Sequence, residues 1–243
     1  SGGTRDMFAE VLKYGAMIVD ALVEYKQPVT IYIPPNGELR GGAWVVLDPK
    51  INPQQMEMFA DVEARGGILE PPAAAEIVFK GDKHVIEMMH RLDEQLVALD
   101  AKAKAGENVA LAIKEREKLL LPMYRQVSVH YCDLHDRSGR MKGLGAIHEE
   151  LEWKNSRAYL HWRIRRRLQE NGVLQRLLAE VRGLDHEGAA AVVRELCKAA
   201  GVAEDREVAQ WLEANVKEVD ACVEKARQSA IEQEIYRLPG SPP

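Results

Sequence analysis

The residues best suited to chemistry lie in one polar, glycine-containing loop, Asn36 to Gly42, which separates two apolar segments. The adjacent Gly41 and Gly42 let a ligand approach the main chain closely and permit backbone angles that other residues avoid. Two N–H groups turned into a cavity can stabilise a developing negative charge, and each such donor is worth about 10²–10³ in rate. A tight turn between strands is the alternative, because a glycine pair favours that as well.

Two further glycine positions are candidate ligand contacts. The tract Ser1 to Gly3 precedes a long helical pattern, and a helix N-terminus offers unpaired N–H groups to an oxyanion. A flexible leader is the alternative for this tract. Gly15 lies inside the helical pattern, where glycine costs about 1 kcal/mol relative to alanine. We expect Gly15 to serve tight helix packing or to leave room for a ligand.

The apolar pattern predicts the elements that would position these glycines. From Thr4 to Tyr25 apolar residues recur every three or four positions, which indicates a helix with one buried face. Pro28 to Ile33 predicts a short buried strand. Ala43 to Asp48 predicts a second strand, whose nearly continuous apolar character is typical of parallel sheets. The glycine pair would therefore lie at the start of a buried strand.

The segments that follow predict one more helix and two more strands. Asn-Pro at 52–53 favours a helix start, and Gly-Gly at 66–67 favours its end. ILEP at 68–71 and AEIVFK at 75–80 predict short strands on either side of the breaker Pro-Pro at 71–72. This alternation of helix and strand predicts a layered α/β unit with right-handed crossovers.

Beyond Asp93 the pattern is almost entirely helical, so we predict a domain boundary there. Residues 1–93 would form the α/β unit, residues 94–237 a helical extension and residues 238–243 a tail. The predicted helices fall near 94–104, 107–132, 146–170, 173–181, 187–200, 204–217 and 219–236. Pro122 lies inside the second of these and predicts a kink or a helix boundary.

Composition and charge exclude several classes of function. An apolar content of 46% allows a real core, and a formal net charge of −5 gives no global attraction to nucleic acid or an anionic membrane. Cys132, Cys197 and Cys222 are far apart and odd in number, which predicts reduced thiols in a cytosol-like compartment. We find no leader-like segment and no apolar run of roughly 20 residues. From the start at Ser1 without methionine we expect a piece of a longer protein, and residues left by cloning are the alternative.

Three other sets of residues predict packing rather than function. Four arginines in one predicted helix favour a salt-bridged face over nucleic-acid binding, with nearby glutamates as partners. Two histidines and two aspartates resemble a metal cluster but lack a strong ligand spacing, so we expect packed or capping residues and no metal. An aromatic and apolar stripe predicts helix core. The sets are Arg163, Arg165, Arg166 and Arg167 with Glu149, Glu150, Glu152 and Glu170; His130, His135, Asp133 and Asp136; and Trp153, Tyr159, Trp162 and Leu168.

Long, ordered segments of the chain resemble one enzyme family. They are residues 1–71, which contain GELRGGAWVV, then His90 to Asp93, Lys114 to Met141 and Leu151 to Leu168. Together they resemble the second half of the carboxyltransferase region of eukaryotic-type multidomain acetyl-CoA carboxylases. The likeness becomes thinner after Val181.

This resemblance implies a crotonase-like α/β fold, in which the chain is the C-subdomain followed by a helix-rich region. The enzyme would be a dimer whose site lies between the N-subdomain of one protomer and the C-subdomain of the other. Carboxybiotin on a separate carrier domain would give its carboxyl group to acetyl-CoA, forming malonyl-CoA for fatty-acid synthesis without a metal. The implied partners are the N-terminal half of the carboxyltransferase, the carrier domain and a second copy, in the cytoplasm or alternatively a plastid.

The resemblance also implies roles for single residues. Gly41 and Gly42 would be the catalytic backbone donors. Val78 and Lys80 would lie at the coenzyme A site, where the family has a Lys-aromatic-Arg triplet and this chain has lost one cation. The family's carboxylate-holding arginine belongs to a Trp-Arg-Gly-Phe segment expected before Ser1. The biotin and acyl pocket would be formed by Val11, Gly15, Ile18, Arg40, Val45, Ile68 and Glu70, of which Arg40 could be structural.

Two alternatives stay open at this point. Because the arginine segment is absent, the chain could be a structural and dimer-forming piece that is inactive by itself. It could also belong to a carboxyltransferase for another acyl-CoA, such as propionyl-CoA, since the acyl pocket is shared with another segment. A hydratase would need a positioned pair of glutamates, and we identify no such pair.

Overall fold

A computed structural model describes residues 4–237, in which many helices accompany five short strands. This confirms the predicted α/β class. The strands are β1 Val29–Ile33, β2 Glu38–Arg40, β3 Met56–Asp61, β4 Arg65–Gly67 and β5 Glu149–Leu151. The helices are α1 Thr4–Asp6, α2 Lys13–Glu24, α3 Gly41–Leu47, α4 Pro71–Val78, α5 Lys83–Leu92, α6 Glu94–Lys104, α7 Ala110–His135, α8 Ser138–Gly143, α9 Trp153–Glu180, α10 His186–Ala199, α11 Asp205–Ala214 and α12 Val216–Arg237. A π-helical segment, Met7–Leu12, joins α1 to α2, and a 3-10 turn spans Pro49–Ile51. The candidate tract at Ser1 to Gly3 and the predicted tail at 238–243 lie outside the described residues.

The described residues form two compact units. The first contains residues 4–21, 31–51 and 58–151, and the second contains 22–30, 52–57 and 152–237. Asp93 lies within the first unit, where its carboxylate accepts a hydrogen bond from the N–H of Leu96 at 3.0 Å and caps α6. The change of pattern at Asp93 thus coincides with a helix cap. The domain boundary expected there stays a prediction.

The strands are short and largely parallel. One sheet has the order β1, β3, β5, and a separate pair consists of β2 and β4. In the first sheet Phe59 lies opposite Glu149, and in the pair Arg40 lies opposite Gly67. Every residue of β3 is buried, as expected for a central strand covered on both faces.

Four local predictions between residues 43 and 80 are wrong. The strand predicted at 68–71 is an irregular segment that leads into α4. AWVVLD is helix α3 rather than a strand, because a short apolar run fits either element and periodicity alone does not decide. The residues after Asn52 form strand β3 rather than a helix. There the backbone carbonyl of Asn52 accepts hydrogen bonds from the N–H groups of Gln55 and Met56, which makes a turn. Residues 75–78 of the predicted strand AEIVFK belong to helix α4, and 79–80 form a turn after it. The first turn of α4 holds both prolines where they need no N–H partner.

The N-terminal helical pattern is confirmed, but its predicted burial is wrong. Residues 4–24 form a continuous helical stretch, yet most of the apolar side chains that define its stripe are exposed and none is buried. Phe8, for example, is 77% exposed. No segment within residues 4–237 buries this apolar face. The sequence pattern predicts a buried face, so a surface outside the described residues would have to cover it.

The helices beyond Asp93 follow the sequence closely. α6 has the predicted bounds of 94–104, and α7 continues through Pro122 without ending. The predicted helices at 146–170 and 173–181 are strand β5 followed by one long helix, α9. The sequence missed the short helices α5 and α8.

In the second unit, α9 to α12 pack around a shared apolar core that includes Leu177, Val193 and Val208. The predicted salt bridging of the arginine run is confirmed, but most of the expected partners are wrong. Of the expected partners, these arginines bond only Glu170; the others are Glu57, Asp205 and Glu213. Carboxylates from segments distant in the sequence therefore neutralise most of the arginine charges.

The aromatic stripe on α9 is not helix core as predicted. Trp153 is 63% exposed and Leu168 is 49% exposed. The ring of Trp162 instead lies beside the guanidinium groups of Arg165 and Arg206. Cation–π interactions with these two arginines stabilise the Trp162 ring although it is not fully buried.

Three helices of the first unit meet at His90. Its Nδ1 lies 2.7 Å from a carboxylate oxygen of Asp100, and its Nε2 lies 2.9 Å from one of Glu117. The hydrogen bond to Glu117 and that to Asp100 together raise the pKa of His90 above its ordinary value of 6.5, against the effect of burial. The imidazolium therefore links α5 to α6 and α7.

This pair of contacts predicts a pH-dependent stability. Because the folded state raises the pKa of His90, its contribution is fully present below about pH 6.5 and is lost as the pH rises through the folded value. Urea unfolding should show that His90→Gln costs more stability at about pH 6 than at about pH 8. An equal cost at both values would contradict the imidazolium link, and His161→Gln is the matched control.

Candidate functional site

The glycine pair lies where β2 ends and α3 begins. The N–H of Gly41 donates to the carbonyl oxygen of Ile68 at 3.1 Å. A Cβ at Gly41 would lie only 2.9 Å from that same oxygen, so the backbone contact requires glycine. The Gly41 amide is thus already paired, and the prediction that both amides face a cavity is not met for Gly41.

Gly42 has the opposite surroundings. A Cβ built on Gly42 meets nothing within 4 Å, and the residue is exposed. Its N–H is the second of α3 and has no backbone acceptor among residues 4–237. The open space and the unpaired amide lie on one residue, so Gly42 is the stronger candidate of the two.

Arg40 holds the start of α3 in place. Its Nη1 donates to a carboxylate oxygen of Asp136 at 2.5 Å and to the carbonyl of Leu69 at 3.1 Å. Its Nε and Nη2 both donate to Glu38. Burial alone would lower the pKa of Arg40, but the bonds to Asp136 and Glu38 raise it above its ordinary value. All three nitrogens of the guanidinium thus donate hydrogen bonds, which favours the structural role considered for it.

The two aspartates once considered as metal ligands are both paired with arginines. Asp133 accepts a 2.9 Å hydrogen bond from Nε of Arg65, which lowers the pKa of its carboxyl group. Asp136 accepts the bond from Arg40. Within residues 4–237 no group of three or more His, Cys, Asp or Glu side chains is placed to hold a metal ion.

Most of the residues expected to form the pocket walls are exposed in this structure. Gly15 faces α3, and a Cβ there would lie 3.5 Å from Cγ1 of Val46, which is an ordinary contact. Packing within this chain therefore does not require a glycine at 15. Ile68, beside Gly41, is 84% exposed, and Glu70 is an exposed residue that precedes α4. Val11, Ile18 and Val45 are exposed as well.

The expected coenzyme A residues lie at the end of α4 rather than in a strand. Lys80 is exposed and has a positive φ of 50°, two residues past the helix end. Val78 lines a cleft of about 580 Å³, to which His84, Arg91 and Tyr131 also contribute. Arg91 was not among the residues expected here, although it lies in the His90 to Asp93 segment that carries part of the family resemblance.

The chain matches the carboxyl transferase domain family over residues 1–168. It belongs to that family. The match contains β1 to β5 and all residues of the candidate site. Membership supports the crotonase-like carboxyltransferase fold that the sequence predicts.

Two of the relatives are acetyl-CoA carboxylases of yeasts. The mitochondrial acetyl-CoA carboxylase of Saccharomyces cerevisiae strain YJM789 is 46% identical over 248 residues, which covers 98% of this chain and 11% of that protein. The acetyl-CoA carboxylase of Schizosaccharomyces pombe is 48% identical over 184 residues, covering 73% of this chain and 8% of that protein. The chain thus spans about a tenth of the length of these relatives.

Among solved structures, the 12S subunit complex of transcarboxylase, with hydrolysed methylmalonyl-coenzyme A bound, gives a TM-score of 0.43 at 12% identity. The likeness covers 66% of this chain and 24% of that one. This value is too low to support a common fold by itself.

None of the described helices is both long and apolar enough to cross a membrane.

The two glycines should respond oppositely to the same substitution. We expect Gly41→Ala to lower the free energy of unfolding by about 1–3 kcal/mol, because its Cβ would press on the Ile68 carbonyl. Gly42→Ala should leave it unchanged or raise it by up to about 1 kcal/mol, because alanine favours the helix. Urea unfolding of both variants measures the difference, and equal effects would contradict these surroundings.

Proposed function

We propose that this chain forms one wall of a biotin-dependent carboxyltransferase site that converts acetyl-CoA to malonyl-CoA. The single observation that supports this most is Gly42, whose unpaired N–H and open surroundings lie within a carboxyl transferase domain. The names of the relatives support acetyl-CoA as the substrate, since the proteins called acetyl-CoA carboxylase match almost the whole chain.

In this proposal Gly42 acts through its main chain. Its N–H donates to the oxyanion that forms next to it, either on the acyl thioester or on the ureido oxygen of biotin. Arg40 and the Gly41 to Ile68 hydrogen bond hold the donor in place before the reaction. Carboxybiotin, when bound, supplies the carboxyl group that is transferred.

The exposed apolar residues would exclude water once the site is complete. Val11, Ile18, Val45 and Ile68 are too exposed to form a closed pocket within this chain. We infer that the N-terminal half of the carboxyltransferase, supplied by a dimer partner, covers them and brings the carboxylate-holding arginine. The biotin would arrive on a carrier domain, and the cytoplasm is the proposed location, with a plastid as the alternative.

We place coenzyme A next to the cleft that Val78 lines. Lys80 is exposed beyond the end of α4, and Arg91 and His84 line the cleft itself. A lysine gives a phosphate a point charge, and an arginine adds a planar fork of donors. In this proposal Arg91 would compensate for the cation that the Val78-Phe79-Lys80 triplet lacks.

A second candidate function has its own support. The long exposed apolar face of residues 4–24 favours a structural piece that has no activity until it is covered. A carboxyltransferase for propionyl-CoA is a further alternative, because the acyl pocket is shared with the absent half. Measuring the turnover of this chain by itself tests the structural alternative. Appreciable activity would exclude a piece that is inactive on its own.

The proposed role of Gly42 predicts a loss of activity without loss of folding. In the complete carboxyltransferase, Gly42→Val should lower kcat/KM for malonyl-CoA decarboxylation by roughly 100-fold or more, because the side chain fills the ligand's space. The matched control is Gly172→Val, since Gly172 is a helical glycine that also has open surroundings but lies in α9. Unchanged activity of Gly42→Val would rule out this role.

A further inference from the structure

An apolar groove in the second unit lies between α10 and α12. Its volume is about 790 Å³, and its floor includes Leu184, Val192 and Leu196, which are partly buried and pack against the core of this unit. Ala199 of α10 and Ala221 of α12 are exposed along its sides. None of the residues expected at the carboxyltransferase site lines this groove. The proposed carboxyl transfer therefore leaves this apolar surface unused.

The size of the side chains on α12 suits the groove to another helix. The α12 residues that line it include five small ones, which are Ala221, Cys222, Ala226, Ser229 and Ala230. The axes of packed helices are roughly 8–10 Å apart, and small side chains at the contact favour the shorter distances. A second helix can therefore pack closely against α12 and cover the apolar floor.

The charges of the groove exclude a strongly charged partner. Its lining contains two basic and two acidic residues, which are Arg182, Lys225, Glu195 and Glu218. Their formal charges cancel, so the groove has no net attraction to nucleic acid or to an anionic membrane. A partner that complements this lining must itself carry both signs of charge.

Glu218 and Lys225 provide both signs on one side of α12. They are seven residues apart, which is nearly two turns of the helix and about 10.5 Å along its axis. Both residues are exposed and both line the groove. The ion pairs that α12 makes within the described residues use Asp220 and Glu224 instead. The face of α12 thus presents an acid and a base that have no ion-pair partner among residues 4–237.

An antiparallel pair of α12 helices makes this face complementary to itself. When Glu218 of one copy lies opposite Lys225 of the second copy, two-fold symmetry places Lys225 of the first opposite Glu218 of the second. A parallel pair would instead bring each charge against its own kind, which is unfavourable. The midpoint of the antiparallel contact falls between Ala221 and Cys222, so small side chains lie where the two helices cross.

We propose that the groove between α10 and α12 binds α12 of a second copy of this chain in an antiparallel arrangement. Two ion pairs between Glu218 and Lys225 set the register. The second helix covers Val192 and Leu196 of α10. This contact is separate from the dimer proposed for carboxyl transfer, which covers exposed residues of the first unit, so either contact can fail without the other.

Oxidation of cysteine tests this arrangement on the full chain. The antiparallel register places Cys222 next to the two-fold axis and therefore close to Cys222 of the second copy. Cys222 is partly exposed, whereas Cys132 and Cys197 are buried. Copper–phenanthroline should produce a disulfide-linked dimer, and Cys222→Ser should abolish it. No linked dimer, or one that Cys222→Ser retains, would overturn the proposal.

An exchange of charges tests the complementarity. Sedimentation velocity should show a reversible dimer with a Kd on the order of micromolar, as for other small interfaces. Glu218→Lys and Lys225→Glu each create two like-charge contacts per dimer and should each weaken association at least about tenfold. The combined variant restores both ion pairs with their signs reversed, so its Kd should return to within about threefold of the original.

The control variant is Lys217→Glu, which changes an exposed charge of α12 that does not line the groove and should have little effect. Association through the apolar face of residues 4–24 would leave both single variants unchanged, which would contradict the proposal. A combined variant that associates no better than the single ones would contradict it as well. So would a chain that stays monomeric, which is the result expected if a different protein or a small apolar ligand occupies the groove.

Discussion

The candidate carboxyltransferase site depends on the ion pair between Arg40 and Asp136. This arginine joins three parts of the first unit: the strand β2, the backbone at Leu69 and the last turn of α7. The pair is partly buried, with 19% of the arginine side chain and 14% of the aspartate side chain exposed. Because Arg40 is the residue before α3, its position determines where that helix begins and how Gly42 is presented.

The same arrangement occurs twice in the first unit. The sequence Arg-Gly-Gly occurs at 40–42, where β2 ends and α3 begins, and again at 65–67, which is strand β4. Each arginine binds an aspartate of the segment DLHD at 133–136. The glycines allow these contacts. A Cβ at Gly67 would lie 2.6 Å from Oδ1 of Asp136, so a side chain there would displace the carboxylate. Close approach of backbone and carboxylate is thus a second reason for glycine here, besides ligand binding.

The sequence predicted much of the helical structure but little of the local structure around the site. The helical stretch at 4–24, strand β1 and helix α6 have strong periodicity or caps, and these predictions are confirmed. Ala43 to Asp48 is a short apolar run without a period, so strand and helix could not be separated. Arg40 and Asp136 are 96 residues apart, and no local pattern in one sequence reveals such a pair. The glycine pair was found because its residue types are unusual, whereas the difference between its two members required coordinates.

A double-mutant cycle on Arg40 and Asp136 tests most directly whether this pair holds the site. Urea unfolding of Arg40→Gln, Asp136→Asn and the combined variant gives their coupling free energy. We predict a coupling of about 1–3 kcal/mol, because the two groups are partly buried and in direct contact. Additive effects, with a coupling below about 0.3 kcal/mol, would contradict the account.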